Sequence, residues 1–334
     1  MNVAIEQDIR DVARRVDEII TSTLKGEPYI LYDAALHYIT SGGKRLRPYM
    51  LVKCSELCNG SADKALYIAS AMEMVHNFTL VHDDIMDGDE VRHGVPTVHR
   101  AYGLPYGILA GDLLLIYAFK TVAYYGRMAG LDDSTIVRLV DVLAKYCIVL
   151  SEGQAMDMEI ASSTTIPDEE QYIAMVTKKT ASLFEASCMM GAITAGADED
   201  AVEKVAGYGR SIGIAFQLVD DLIGVVGDPK VTKKPVGNDI REGKKTLPIL
   251  LALNKCDEDS RRRILSLLGS KQNIDENELL YAINLMKGMG IDREVREMAG
   301  KYADDATARL KGFKESSAKH ALEHIARLIV ERSA

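Results

Sequence analysis

"LVHDDIMDGDEVRHG", residues 80–94, ends a long apolar run on five acids and a single arginine. From position 62 onward, Ala, Leu, Ile and Met recur at three- and four-residue intervals, the period of a buried helix. The helix predicted over 62–87 therefore closes on Asp83, Asp84 and Asp87, within little more than one turn. On an exposed helix each such like-charge pair costs roughly a few tenths of a kcal/mol. Residues four apart lie about 40° apart around the axis and residues seven apart about 20°. His76, Thr79, Asp83 and Asp87 thus share a stripe, with Leu80 and Asp84 beside it. Carboxylates at i and i+4 on one stripe can share a hard cation, and Mg2+ typically takes one or two carboxylates plus phosphate oxygens and water. The plainer reading of an isolated motif of this kind is a solvated acidic helix end.

A second stretch weighs against the plainer reading. "GIAFQLVDDLIGVVGDP", residues 213–229, puts Gln217, Asp221, Gly224 and Asp228 on one stripe, with Asp220 adjacent. Again two adjacent acids end a strongly apolar helix, where an unpaired carboxylate is costly to bury. The two helix ends suggest two walls of one cavity clamping a metal–phosphate cluster. Basic clusters accompany them: Lys44, Arg45 and Arg47 after a Gly-Gly turn, Arg92 and His93 beyond the first acids, Lys178 and Lys179 before Thr180, and Lys233, Lys234, Lys244 and Lys245 beyond the second. Diphosphate groups are met by such side chains and by helix N-termini.

The rest of the chain sets bounds. Its 334 residues suffice for one large or two ordinary domains with a sizeable core, and no composition shift divides it, so one all-α domain over 1–334 is expected. Helices are predicted over 5–25, 28–41, 44–58, 62–87, 104–128, 134–160, 168–195, 199–226, 245–254, 258–268, 275–286 and 290–332, with breaks at 41–43, 93–103, 162–167 and 227–245. A net charge of −9 argues against nucleic acid as a partner. The five cysteines are odd in number and unpaired with histidines, which reads as buried free thiols in a reducing compartment. The first twenty residues carry charges throughout and lack a signal-peptide core. No stretch reaches about 18 uncharged apolar residues, so no membrane anchor and a cytoplasmic protein are expected.

Six spaced motifs, "GGKRLRP", "LVHDDIMDGDEVRHGVPTVH", "GQAMDME", "KKTASLF", "FQLVDDLIG" and "KKPVGNDIREGKKTLP", resemble the trans-type isoprenyl diphosphate synthases in their order, over about residues 30–255. The likeness is greatest to short-chain archaeal members making farnesyl or geranylgeranyl diphosphate. The resemblance implies an all-α bundle around a deep central cavity, a homodimer, and condensation of an allylic diphosphate with isopentenyl diphosphate. It implies Asp83 and Asp87 as Mg2+ ligands with Asp84 supporting, Asp220 as a ligand with Asp221 supporting, and Mn2+ as a possible substitute metal. It assigns Arg92, Lys179, Thr180, Gln217, Lys234 and Lys244 to the allylic diphosphate, with Lys179, Thr180 and Gln217 also nearest the chemistry. Lys44, Arg47, His76 and His93 would hold isopentenyl diphosphate.

Two positions depart from the family pattern. His93 stands where a second arginine is common, losing the bidentate fork and permanent charge. Gly224 stands where the second motif often ends in aspartate, and the role of that third carboxylate is left unfilled. In the family, bulk at Phe78 and Thr79 sets the cavity floor; Phe78 lies about 7.5 Å along the helix from Asp83 but about 140° around it, so its part in product length rests on resemblance. One aromatic at Phe78 beside a small Thr79 resembles enzymes that stop at twenty carbons. A terpene cyclase would not need the second diphosphate site of Lys44, Arg47 and His76. A non-catalytic subunit of a heteromeric synthase is the reading that Gly224 and His93 keep open.

Overall fold

Between Ala65 and Asn77 helix α4 (Ala62–Asp87) is buried all round, apart from partial exposure at Tyr67 and His76. A helix apolar on every side must lie inside other helices, and α4 does. In the computed structural model, which describes residues 3–92, 94–227, 237–270 and 274–331, helix accounts for 81% of the structure. The sheet among those residues is one antiparallel pair, β1 (Val91–Arg92) on β2 (Val95–Pro96). The fold class is all-α.

The chain forms two compact units. The first comprises Met1–Tyr146, Ala186–Ala206 and Phe313–Leu322. Here α1 (Val3–Thr23) lays Val12, Val16 and Ile20 along one buried stripe at four-residue spacing and packs on α4 and on α3 (Leu46–Leu57). α6 (Leu104–Lys120), which a π turn joins to the three-residue α7 (Gly126–Met128), packs against α4, α2 (Tyr29–Thr40) and the short α5 (Val98–Tyr102). Glycine spacing permits the α4–α6 approach. A Cβ at Gly111 would stand 2.2 Å from His82 Nε2, and one at Gly107 would stand 3.0 Å from Ile85 Cδ1. The acidic end of α4 is therefore seated against the two glycines of α6.

The second unit comprises Cys147–Glu185, Gly207–Gly312 and Glu323–Ala334. The long α8 (Asp133–Ser162) and α11 (Glu199–Val226) run into it. α9 (Glu169–Val176) starts on a capping box, Asp168 with Gln171, and continues through a π-helical turn, Thr177–Ala181, into α10 (Ser182–Thr194). Beyond the second acidic end lie α12 (Asn238–Glu242), α13 (Leu247–Lys255), α14 (Glu258–Leu267), α15 (Glu276–Gly288), α16 (Ile291–Arg309) and α17 (Ser317–Glu331).

Several expectations need correction. The helix expected over 290–332 is two, broken where Leu310 caps the first and Gly312 takes a φ of +106°. The helices expected over 104–128 and 168–195 each contain a π turn, at Thr121–Tyr125 and Thr177–Ala181, because side-chain periodicity does not register one inserted residue. The loops expected at 93–103 and 227–245 hold α5 and α12. Of the five free thiols only Cys54 and Cys188 are buried; Cys58, Cys147 and Cys256 are half-exposed. The stretch Leu104–Met128, with a mean hydropathy of 1.4 in its most apolar window, is long and apolar enough to cross a membrane by length and composition. The expectation that no uncharged run reaches this length stands, since the stretch contains Asp112, Lys120 and Arg127, and 44% of its most apolar window is buried.

Candidate active site

The first acidic end sorts its three aspartates by environment. Asp84 is completely buried and accepts a hydrogen bond from the Tyr38 hydroxyl of α2. Its other oxygen takes the Arg92 Nε–H at 2.6 Å. Tyr38 is itself held by the Val98 amide, which donates to its hydroxyl at 3.2 Å. Burial pushes the Asp84 carboxyl above the usual range, opposed chiefly by the Arg92 guanidinium. Asp83 is half-buried with Arg92 Nη2 at 4.0 Å, and Asp87 is exposed. The geometry has a local cause. Gly88, at φ +68°, caps α4 immediately after Asp87, and the hairpin pairing Arg92 with Val95 folds the chain back so that Arg92 meets Asp84. Asp89 Oδ2 lies 3.9 Å from Arg92 Nη2, and Glu90, which stays exposed, pairs with Arg100 at 3.1 Å.

In the same unit Arg47 Nη1 lies 3.3 Å from His76 Nε2, joining two residues expected to hold isopentenyl diphosphate. Lys44 is exposed. Arg45, between them, does something else. It is buried in a left-handed conformation (φ +47°), pairs with Asp17 at 2.8 Å and Glu73 at 3.1 Å, and donates to the Gly42 and Ile39 carbonyls. That residue staples the Gly-Gly turn and leaves Lys44 and Arg47 flanking it. Phe78 is half-buried with its ring edge-on to His82, centroids 5.0 Å apart, and His82 Nε2 lies 3.1 Å from the Ile108 carbonyl of α6. The Thr79 hydroxyl donates to the His76 carbonyl at 2.7 Å.

The second acidic end repeats the division of labour. Asp220 is exposed, whereas Asp221 is buried and accepts from the Tyr172 hydroxyl of α9. Gln217 Nε2 donates to Asp221 Oδ1 at 2.6 Å, and the Thr180 hydroxyl donates to Gln217 Oε1 at 2.8 Å. Burial, reinforced by the Asp239 carboxylate, pushes Asp221 up to about 8, against the pull of Tyr172 and Gln217. Tyr172 is held well above its ordinary value, by burial first and by Asp221 second.

Lys179 and Thr180 sit in the π turn. Lys179 Nζ reaches Asp157 at 2.5 Å, and Lys178 pairs with Glu152 at 2.7 Å. Both partners come from α8, where Gly153 makes the approach possible: a Cβ there would stand 2.3 Å from the Lys179 amide nitrogen. Lys244 is exposed and pairs with Glu242 at 2.7 Å, while its neighbour Lys245 caps the end of α8 through the Ile160 and Ser163 carbonyls at 2.7 and 2.5 Å. His93, Lys233, Lys234 and Asp228 lie outside the described residues.

Sequence reasoning missed Tyr38, Tyr172, Asp157 and Asp239. Tyr38 and Tyr172 stand 46 and 49 residues from the acids they hold, so no helical spacing connects them. Asp157 lay inside a quoted motif, but nothing local marked it as the partner of Lys179.

Half-buried Asp83 and exposed Asp87 and Asp220 offer hard oxygens of the kind Mg2+ and Ca2+ take. Among the described residues no three His, Cys, Asp or Glu side chains converge to hold a cation alone, which suits a metal completing its shell with substrate oxygens and water. Carboxylates at two helix ends and lysines in a π turn are groups of the kind that can meet a metal–diphosphate. A family model for polyprenyl synthetases matches residues 28–286. The geranylgeranyl diphosphate synthase of Sulfolobus acidocaldarius is 41% identical over 324 residues, 96% of this chain and 97% of that one. A crystal structure of geranylgeranyl pyrophosphate synthetase from Pyrococcus horikoshii matches with a TM-score of 0.92 at 39% identity, covering 99% of each chain. A polyprenyl synthase from Caulobacter crescentus, complexed with calcium and isoprenyl diphosphate, matches with a TM-score of 0.88 at 31% identity, covering 99% of this chain and 97% of that one. The chain belongs to the polyprenyl synthetase family and is a divalent-metal-dependent trans-prenyltransferase acting on prenyl diphosphates.

Proposed function

We propose that this enzyme condenses isopentenyl diphosphate with a dimethylallyl, geranyl or farnesyl diphosphate and releases geranylgeranyl diphosphate. The observation that carries the reading is the repeated doublet: in each, the first aspartate is at least partly exposed while the next is buried on a tyrosine hydroxyl. The names of the relatives at 41% and 39% identity support the twenty-carbon product. Asp83 and Asp87 in the first unit and Asp220 in the second would hold Mg2+, two or three ions in all, and Asp84 and Asp221 fix the helix ends that present them. When bound, the cations stabilise negative charge on the departing diphosphate.

The side chains supply the remainder. Lys179, Arg92 and Lys244 bind the allylic diphosphate, and Lys44, Arg47 and His76 hold isopentenyl diphosphate. The Thr180 proton is committed to Gln217, so its oxygen presents only lone pairs. Such a dipole favours an allylic cation without attacking it as an ionised base would. The isopentenyl double bond then attacks the cation, and the proton it loses passes to the released diphosphate. The enzyme works as a homodimer of one synthase domain per chain; Ile108, Leu109, Ile116, Tyr124 and Met128 form an exposed apolar strip that a second copy would cover.

The test is purified protein with Mg2+, isopentenyl diphosphate and each allylic starter in turn. Chromatography should show a twenty-carbon prenyl diphosphate. A dominant product of fifteen or twenty-five carbons refutes the product assignment, and absence of turnover with every starter favours a non-catalytic subunit.

A further inference from the structure

The second acidic motif stops at Gly224, where a third carboxylate is expected, and the backbone gives no reason for a glycine there. Position 224 lies inside α11 with ordinary helical φ, and glycine in a helix interior costs about 1 kcal/mol relative to alanine. The reason comes from elsewhere in the chain. A Cβ built on Gly224 would stand 2.4 Å from Asp239 Oδ2 and 2.6 Å from both Cγ and Oδ1. Real Cβ atoms essentially never show contacts under 3.0 Å. A side chain at 224 and the Asp239 carboxylate are therefore mutually exclusive occupants of one space.

We propose that Asp239 supplies the carboxylate that the second acidic motif lacks at Gly224, and that Gly224 is what admits it. This rests on the reading that the second acidic end handles the metal–diphosphate group. Asp239 is placed by its own short helix: Gly237 enters α12 at φ +68°, and the Asp239 carbonyl accepts the Lys244 amide at 2.9 Å. The residue is only 8% exposed, and its charge reaches buried Asp221. The segment carrying Lys244 is thereby joined to the motif itself.

The test measures Mn2+ affinity by electron paramagnetic resonance, with inorganic pyrophosphate present, alongside thermal unfolding of the metal-free protein. Asp220→Asn serves as the reference for the underlying reading. Asp239→Asn, nearly isosteric, should weaken Mn2+ about 10-fold, the lower end of what a carboxylate supporting a metal contributes. Gly224→Ala should weaken it similarly without removing any charge, because the methyl displaces Asp239. The swap Gly224→Asp with Asp239→Gly should recover most of the affinity. Thermal unfolding of metal-free Asp239→Asn reads any structural loss separately from metal affinity. If Asp220→Asn weakens Mn2+ while Asp239→Asn leaves it unchanged, the inference falls and the functional reading stands. If Asp220→Asn is also silent, both fall. A lowered metal-free melting temperature with unchanged Mn2+ affinity marks Asp239 as structural and overturns the proposal. Should Gly224→Ala fail to fold, Asp239→Asn decides alone.

Discussion

Gly153→Ala is the sharpest test of how the π turn is positioned. The added methyl would stand 2.3 Å from Lys179 N, 2.6 Å from Lys178 C and 2.7 Å from Lys179 Cα, all backbone atoms. No rotamer change relieves such a contact. Carbon contacts settle near 3.5–4.0 Å, so α8 and the turn must separate by about 1 Å. Overpacking of that kind costs about 1–3 kcal/mol, which for a domain this large lowers the melting temperature by roughly 2–4 °C per kcal/mol. The functional effect should be larger. Lys179 and Thr180 move with the turn, and a misplacement of about 1 Å can cost on the order of 100-fold in rate. Steady-state kinetics with both substrates, with thermal unfolding of the same preparations, reads both effects. Gly300→Ala is the control: its Cβ meets nothing within 4 Å inside α16, so it should stabilise by up to about 1 kcal/mol and leave kcat alone. If Gly153→Ala keeps kcat within about twofold of wild type, the close approach does not position the chemistry and the reasoning fails.

Asp221 has a folded pKa raised to about 8, above its ordinary carboxylate value, so the metal-free folded protein holds a proton that the unfolded chain releases. Its stability should therefore fall as pH rises from about 4 to about 8, by on the order of 1 kcal/mol per pH unit from this group. Asp221→Asn should flatten that slope, and an unchanged slope in urea titrations at several pH values would refute it. Arg45→Met strands buried Glu73, whose Oε2 already lacks a partner, and should cost about 3–5 kcal/mol. Arg47→Gln should instead raise the KM for isopentenyl diphosphate with little change in melting temperature; the opposite pattern would exchange the two roles. Phe78→Ala should lengthen the product, as read by reversed-phase chromatography, and an unaltered profile places the cavity floor elsewhere.

The two acidic helix ends were legible because charge at the end of an apolar 3.6-residue period is a local signal. Asp83 and Asp87 stood out by spacing, whereas Asp220, Lys44, Arg47 and Lys179 were singled out only by the family resemblance. Which acid in each doublet is open and which buried was not, because that depends on Tyr38 and Tyr172 arriving from helices far away in sequence. The lysine and arginine clusters likewise looked uniform, yet Arg45 and Lys245 are structural clamps beside exposed Lys44 and Lys244. Periodicity reports which face of a helix is apolar, and it carries no information about which neighbour fills a given space.

Gly224 shows where that boundary falls. By itself the sequence determined the all-helical class, the positions of the acidic ends and the absence of a third acid in the second motif. Only the tertiary structure decided what that absence means, since the carboxylate filling the gap belongs to Asp239, brought there by a turn at Gly237 and packed where no side chain stands.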